Sequence, residues 1–319
     1  MKWQTPPRLE ELYTCVMDAL EKRGYRVEIV SYPTSHDKRS IDLLAASTTK
    51  NIFIKVVEDL KHIDNREANE LRGLSTVLDA HPLIVAEKEG GVELDDIAAY
   101  EKHGLYAVNV RGLEAALENS IYVVKRHGNF YMRIDSEKLR EFRRMRGLSL
   151  GDLAKLVGVS RKTVYEYERS SMDVSLSTAI RLLEVVGDEI FKPIPVLDSQ
   201  EKPVKRSTKR MSVDTVAERK IILQIEKRGG KAVHSRHSPV DIGVKLAEKK
   251  AVVIVEHKHD TDIGLRSEEA VKIAEASSAE KIALVRRSNL RKDLEALGYD
   301  VVRTPEELLE LVVGEGEKR

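Results

Sequence analysis

The chain has 319 residues, room for two or three domains with cores of their own, and its 54 Lys and Arg against 53 Asp and Glu leave a net charge of +1. That balance excludes a surface coated with positive potential, so any contact with nucleic acid must use local basic patches. The lone Cys15 excludes an intrachain disulfide, and no apolar run approaches the roughly 20 residues that a membrane span needs. The opening MKWQTPPRLE lacks the apolar centre of a signal peptide, so the expected compartment is cytoplasmic, with no membrane partner. Heavy charge of both signs with only three glutamines (Gln4, Gln200, Gln224) points toward a hot source.

In chain order, the first segment has an amphipathic helical period that ends at Glu21-Lys22-Arg23-Gly24, then a strand, then Asp42 opening a second strand. A polar turn and a strongly apolar third strand follow, then a strand containing LIVAEK and another at Tyr106–Val110, with helical segments between. The same succession returns after residue 212. A helix ends at Glu226-Lys227-Arg228-Gly229, Asp241 opens the second strand, and the apolar run to Val255 forms the third. IALVRRS and Tyr299–Val302 repeat the tail. Each copy is a helix-flanked mixed sheet of the α/β class.

Between the copies, Leu139–Gly187 carries the punctuation of short helices. Ser149 and Asp152 form an S-x-x-D capping box. Small Ala154 permits a close helix crossing, and Gly158 supplies a left-handed C′ residue. Val159 plugs the turn, and Ser160 caps the next helix. That helix buries Val164 and Tyr167 and leaves Arg161, Lys162, Tyr165 and Glu166 outward. The stretch GVSRKTVYEYE resembles the lambda-repressor-like (XRE-type) helix-turn-helix family over roughly 55 residues. The resemblance implies a four- to five-helix domain over 128–194 that binds double-stranded DNA through Ser160, Arg161, Lys162, Thr163, Tyr165 and Glu166. Leu150 stands where the family often has a phosphate-holding Gln. DNA reading of this kind requires no cofactor.

Residues 195–212 are expected to form a basic, proline-containing linker, with Lys202, Lys205, Arg206, Lys209 and Arg210 in reach of phosphates or serving as a solvated spacer. In the last segment, 213–319, strand period two puts Glu256 and Lys258 on one face, and a hairpin brings Asp241 beside them. Two carboxylates and a lysine at a strand end can hold a divalent metal and support phosphodiester hydrolysis, with Glu218 on the preceding helix as a third acid. The order of elements resembles the PD-(D/E)xK nuclease superfamily, in particular archaeal Holliday-junction resolvases. That resemblance implies Mg²⁺ or Mn²⁺ at Asp241 and Glu256, and catalysis by Asp241, Glu256, Lys258 and Glu218. The ordinary alternative for Glu256 and Lys258 is a solvated ion pair.

In the copy at 1–127, Asp42 matches Asp241, whereas Lys55-Val56-Val57 falls where Glu256-His257-Lys258 is expected, a degenerate site. His257 and His259 fall on the face opposite Glu256 and Lys258, and with His234 and His237 read better as exposed polar histidines than as zinc ligands. The expected architecture is therefore α/β plus all-α, two PD-(D/E)xK-like domains flanking the helix-turn-helix domain. It resembles a group of archaeal proteins named as helix-turn-helix transcriptional regulators. Two functions follow: a sequence-specific regulator, expected as a homodimer on two half-sites, or a metal-dependent DNA endonuclease targeted by the helices.

Overall fold

The apolar period near the N-terminus becomes α1 (Pro7–Glu21), which buries Leu9, Leu12, Val16 and Leu20 along one face. The structure is a computed structural model that describes residues 7–169, 172–197, 215–257 and 262–313. Two compact units result, one made of the residues to Val85 with those from Asp198 onward, the other of Ala86–Leu197. Most of the expected linker, from 198 to 212, lies outside the described residues, as do Lys258 and His259. Among the described residues no helix is long and apolar enough to cross a membrane.

After α1 come β1 (Arg26–Ile29), β2 (Leu43–Ala46) and β3 (Asn51–Asp59), joined antiparallel with Leu43 opposite both Ile29 and Ile54. Helix α2 (Asn65–Val77) begins on a complete capping box, Asp64 with Glu67, and leads to β4 (His81–Glu89) beside β3.

The second unit adds β5 (Val92–Glu93), β6 (Ala98–Lys102), β7 (Leu105–Val108), α3 (Val110–Leu117), β8 (Val123–Arg126) and β9 (Asn129–Ile134). Then follow α4 (Ser136–Met145), α5 (Leu150–Val157), α6 (Arg161–Tyr167), β10 (Val174–Ser175), α7 (Leu176–Val185) and β11 (Phe191–Lys192). The sheet order is β7-β6-β8-β9-β10, and β11 also pairs with β9. The helices are therefore not the free-standing all-α body that their caps suggest. Ile134 of β9, Val174 of β10 and Ile190 complete a core with Leu139, Leu153, Val157, Val164, Tyr167 and Leu182. The sheet covers apolar surface that four short helices would leave wet.

The chain returns to the first unit as α8 (Val216–Lys227), β12 (Lys231–His234), β13 (Ile242–Leu246), β14 (Lys249–Val255) and α9 (Ile263–Ser277). It ends with β15 (Glu280–Leu284), α10 (Ser288–Ala296), β16 (Asp300–Val302) and α11 (Pro305–Val313). Strands run in the order β12-β13-β14-β15-β16, antiparallel through β14 and parallel thereafter. The parallel pairs need the crossovers α9 and α10. Ile221, Ile225, Ile242, Val253, Ile282 and Leu308 fill the core.

The halves of this unit follow one plan from α1 to β4 and from α8 to β15, and they pack on each other reciprocally. Helix α2 lies on β12 and β13, and α9 lies on β2. Glu70 of α2 accepts from Ser235 Oγ (2.7 Å), Arg236 N (3.2 Å) and His237 N (2.9 Å), and its Oε1 lies 2.9 Å from His237 Nδ1. Glu269 of α9 accepts from Ser31 N at 2.7 Å, and Lys272 Nζ donates to Ile29 O at 2.9 Å. The ladders make Ser31 the counterpart of Arg236, so each half holds the other at the same loop. Glycine lets α2 sit down on the sheet, since a Cβ on Gly243 would stand 2.7 Å from Val77 Cγ2 and one on Gly73 2.7 Å from Val233 Cγ1.

Removing the Glu70 carboxylate leaves a group of N–H and O–H donors without their acceptor. Glu70→Ala is expected to lower the unfolding free energy by about 2 kcal/mol, measured by urea denaturation, and conservative Glu70→Gln to recover part of it. An unchanged midpoint for Glu70→Ala would remove the clamp from the account of stability.

Candidate functional site

The helix pair is built by local chemistry. Ser149 Oγ accepts from Asp152 N at 3.1 Å while the Asp152 carboxylate accepts from Ser149 N at 2.9 Å, so both halves of the expected box are made. Gly158 ends α5 in the left-handed region at φ 70°, and Val159 N donates back to Ala154 O at 2.9 Å. A Cβ at Gly158 would also stand 2.5 Å from Arg181 Nη1, which donates to Val157 O (3.2 Å) and Gly158 O (3.4 Å). Ser160 Oγ accepts from Thr163 N at 3.0 Å and starts α6.

On α6, Val164 and Tyr167 are buried, and Arg161, Lys162 and Tyr165 are exposed. Thr163 and Glu166 are half-buried at the edge of that face. Leu150, at the start of α5, packs against the module's core. Arg169 continues the outward face, donating to Tyr165 Oη at 3.0 Å with its guanidinium 5.4 Å from the Tyr165 ring centroid. One orienting pair escapes sequence reasoning. Arg143 on α4 grips Glu168, at the end of α6, through Nε–Oε1 (2.6 Å) and Nη2–Oε2 (2.9 Å), and its Nη1 donates to Leu148 O at 3.0 Å. Glu168 is the final Glu of the matched pattern, but nothing separates Arg143 from Arg140, Arg144 and Arg146 until α4 is docked.

In the other unit a buried aspartate stands at the start of the second strand of each half, Asp42 and Asp241. Asp241 N donates to Val253 O (3.0 Å) and Val255 N donates to Asp241 Oδ2 (2.6 Å). Asp42 repeats both bonds, with Ile54 O (2.8 Å) and Val56 N (2.8 Å). Continuing each ladder by one residue puts Ile254 across from Asp241 and Lys55 across from Asp42. The counterpart of Lys55 is therefore Ile254 rather than Glu256; the sequence alignment is two residues out, because the hydrogen-bond register and not the position of the charges fixes the match.

Glu218 and Asp241 do come together. Glu218 is fully buried, and His257 Nε2 lies 3.6 Å from its Oε1 and 3.4 Å from Asp241 Oδ1. These three form a group whose ligand atoms all lie within 4.8 Å of one another, and His234 Nε2 stands 3.8 Å from the same Glu218 oxygen. Thus His234 and His257 are half-buried partners of the acids rather than exposed polar groups. The Asp241 hydrogen bond outweighs burial and holds the His257 imidazole above its ordinary value.

Glu256 does not join them. Strand β14 stops at Val255, and the Glu256 carboxylate turns to Arg286 N (2.6 Å), Arg287 N (3.1 Å) and the Arg287 side chain, at the start of α10. Burial would raise the Glu256 carboxyl, but these donors hold it below its ordinary value. Arg266 of α9 takes the place beside Asp241, with Nη1 at 2.7 Å from Oδ1 and 2.9 Å from Oδ2, and Nη2 donating to Val255 O at 2.8 Å. In the other half, Asp42 faces Lys55 Nζ (3.3 Å), His36 Nε2 (3.4 Å) and Arg39 Nη1 (3.6 Å). Tyr13 stands where α8 has Glu218, its buried phenol pushed far up by burial and by Asp42.

With this geometry in view, residues 9–123 match the PD-(D/E)XK superfamily domain and residues 139–187 match the helix-turn-helix model. A protein of Aeropyrum pernix named "Putative HTH-type transcriptional regulatory protein" is 31% identical over 91% of this chain and 91% of its own length. The chain belongs to that archaeal HTH-type family. A similarly named Pyrococcus furiosus protein is 30% identical over 76% of this chain and 75% of its own, and one of Saccharolobus solfataricus is 28% identical over 89% and 90%. No solved structure matches.

Two outcomes test this chemistry. Gly158→Ala should cost the helical unit about 1–2 kcal/mol for the left-handed backbone alone, with more from displacing Arg181, read as a lower melting temperature. For Asp42, burial would raise the carboxyl, but Lys55, the His36 hydrogen bond and Arg39 win and hold it at about 2 against an ordinary 3.8. A lowered folded value gives stability that is complete above the unfolded value and disappears as pH falls from about 4 to about 2, on the order of 2 kcal/mol. Urea titrations at each pH should show that slope in the wild type and lose it in Asp42→Asn.

Proposed function

We propose that this protein is a sequence-specific transcriptional regulator that binds double-stranded DNA by laying α6 in the major groove. The observation that carries the reading is the α5–Gly158–α6 turn. It buries Val164 and Tyr167 and thereby commits Arg161 and Lys162, at the free end of α6, to solvent. Arg161 and Lys162 read base edges, Tyr165 and Glu166 contact the groove further along, and Ser160 and Thr163 approach the phosphate at the helix start. Leu150 offers no phosphate contact in place of the family's Gln, so more of the positioning falls on the basic side chains. No cofactor is needed for this step. The family names and the matched helix-turn-helix model support the reading.

In this reading two PD-(D/E)xK-like halves, 1–127 and 213–319, serve the helical domain 128–194 as support and as added phosphate contact, with 195–212 a basic tether. A homodimer presents two α6 helices to half-sites about one turn apart. The two α/β halves already pair with each other within one chain, so the dimer uses other surfaces. DNA reading places the protein with the chromosome, in the cytoplasm. The endonuclease alternative needs Asp241 and Glu256 on one cation, and they face different partners.

Selection of bound sequences from random DNA tests the proposal. A two-fold-symmetric motif is expected for the wild type, and Arg161→Ala with Lys162→Ala should lose that selectivity by at least about 10-fold while the melting temperature stays unchanged. Undiminished selectivity in the double variant would place the reading surface elsewhere.

A further inference from the structure

A carboxylate taken out of water must meet positive charge or several donors, and in a nuclease of this fold a divalent cation supplies the charge. Both halves here supply it from the chain. At Asp241 the guanidinium of Arg266 touches both oxygens, and Val255 N takes a further lone pair of Oδ2. Arg266 is itself buried and fixed by its bond to Val255 O, so it is part of the core rather than a passing surface contact. Lys55 does the same for Asp42, from the strand position directly across, and is anchored by donating to His36 O at 3.0 Å. The two cations arrive from different elements, β3 in one half and α9 in the other.

The positions that a second acidic ligand would need are also taken. Across from Asp241 stands Ile254, and Glu256 beyond it is held by Arg286 N and Arg287. Among the described residues, what remains near Asp241 is Glu218 Oε1, which accepts no hydrogen bond from them, and His257 between the two acids. Against these carboxylates the chain already sets the buried guanidinium of Arg266, whose Nη1 occupies both oxygens of Asp241. A divalent ion reaching Asp241 Oδ1 would have to sit at about 2.0–2.6 Å from an oxygen that Arg266 already contacts, beside a fixed positive charge. The described residues do not fit Mg²⁺ or Mn²⁺.

We infer that Arg266 and Lys55 are resident cations that replace the divalent metal at the two buried aspartates, so the paired α/β halves take up no metal and cleave no DNA. The paired halves hold together through their own charges, independent of metal supply and indifferent to chelators. The inference stands apart from the reading of α6 and survives its failure, because it is tested on metal uptake.

The experiment is a Mn²⁺ titration of the full chain followed by the electron spin resonance of free Mn²⁺, with thermal unfolding in Mg²⁺, Mn²⁺, Zn²⁺ or chelator alongside. The expected wild-type result is no uptake and one melting temperature throughout. A cation bound 100-fold below its working concentration would shift the folding equilibrium about 100-fold, a change the melting curve cannot hide. Arg266→Met, which keeps the bulk and removes the charge, should gain one Mn²⁺ per chain and lose it again on adding Asp241→Asn. Uptake by the wild type, or a Zn²⁺ shift that His257→Ala abolishes, overturns the inference, as does a folded Arg266→Met that binds nothing. Should Arg266→Met fail to fold, the wild-type titration decides alone.

Discussion

A negative charge removed from water has to be answered within a few ångströms, and that constraint organises this molecule. The sequence supplies 53 acids and 54 bases, and four acids drawn wholly or partly out of water have a particular answer. Glu70 gathers backbone N–H groups from the opposite half, Asp241 takes Arg266, Asp42 takes Lys55, and Glu168 takes Arg143. Removing one partner from such a pair strands the other, so each fixes the geometry of the elements that carry it. Glu70 sets how the halves meet, and Arg143 ties the end of α6 to α4.

Local signals were legible in the sequence because their causes lie within four residues. Ser149, Asp152, Gly158 and Ser160 name their own hydrogen bonds, and the internal repeat named two copies of one α/β plan. The buried carboxylates were half legible. Asp42 and Asp241 could be found from their strand positions, and Glu218 from its helix. Arg266 could not, since its place beside Asp241 depends on how α9 docks. Glu256 was read onto the Asp241 face by strand period alone, but the strand ends one residue earlier and the chain turns away. The sheet under the helices went unread because β10 and β11 are two residues each.

The two halves differ in a consistent way. Where one has Tyr13, the other has Glu218; where one has Lys55, the other has Ile254. By the same register Glu67 on α2 corresponds to Arg266 on α9, an exchange of sign at one position. A lysine on the strand makes a cation on the helix unnecessary, and an isoleucine on the strand makes it necessary. Each half thus brings a cation to its aspartate by its own route.

The intrachain pairing has a further consequence. When identical chains meet across a two-fold axis, every substitution appears twice, and a change that suits one side is imposed on the other. Fusing the two sides into one polypeptide breaks that symmetry. Glu67 and Arg266 were free to become opposites, and the loop held by Glu70 could acquire His237 without the loop held by Glu269 doing so. Covalent linkage also keeps the sides present in equal number at any dilution. Joined in one chain, the two halves can differ residue by residue at positions that a symmetric pair would be forced to share.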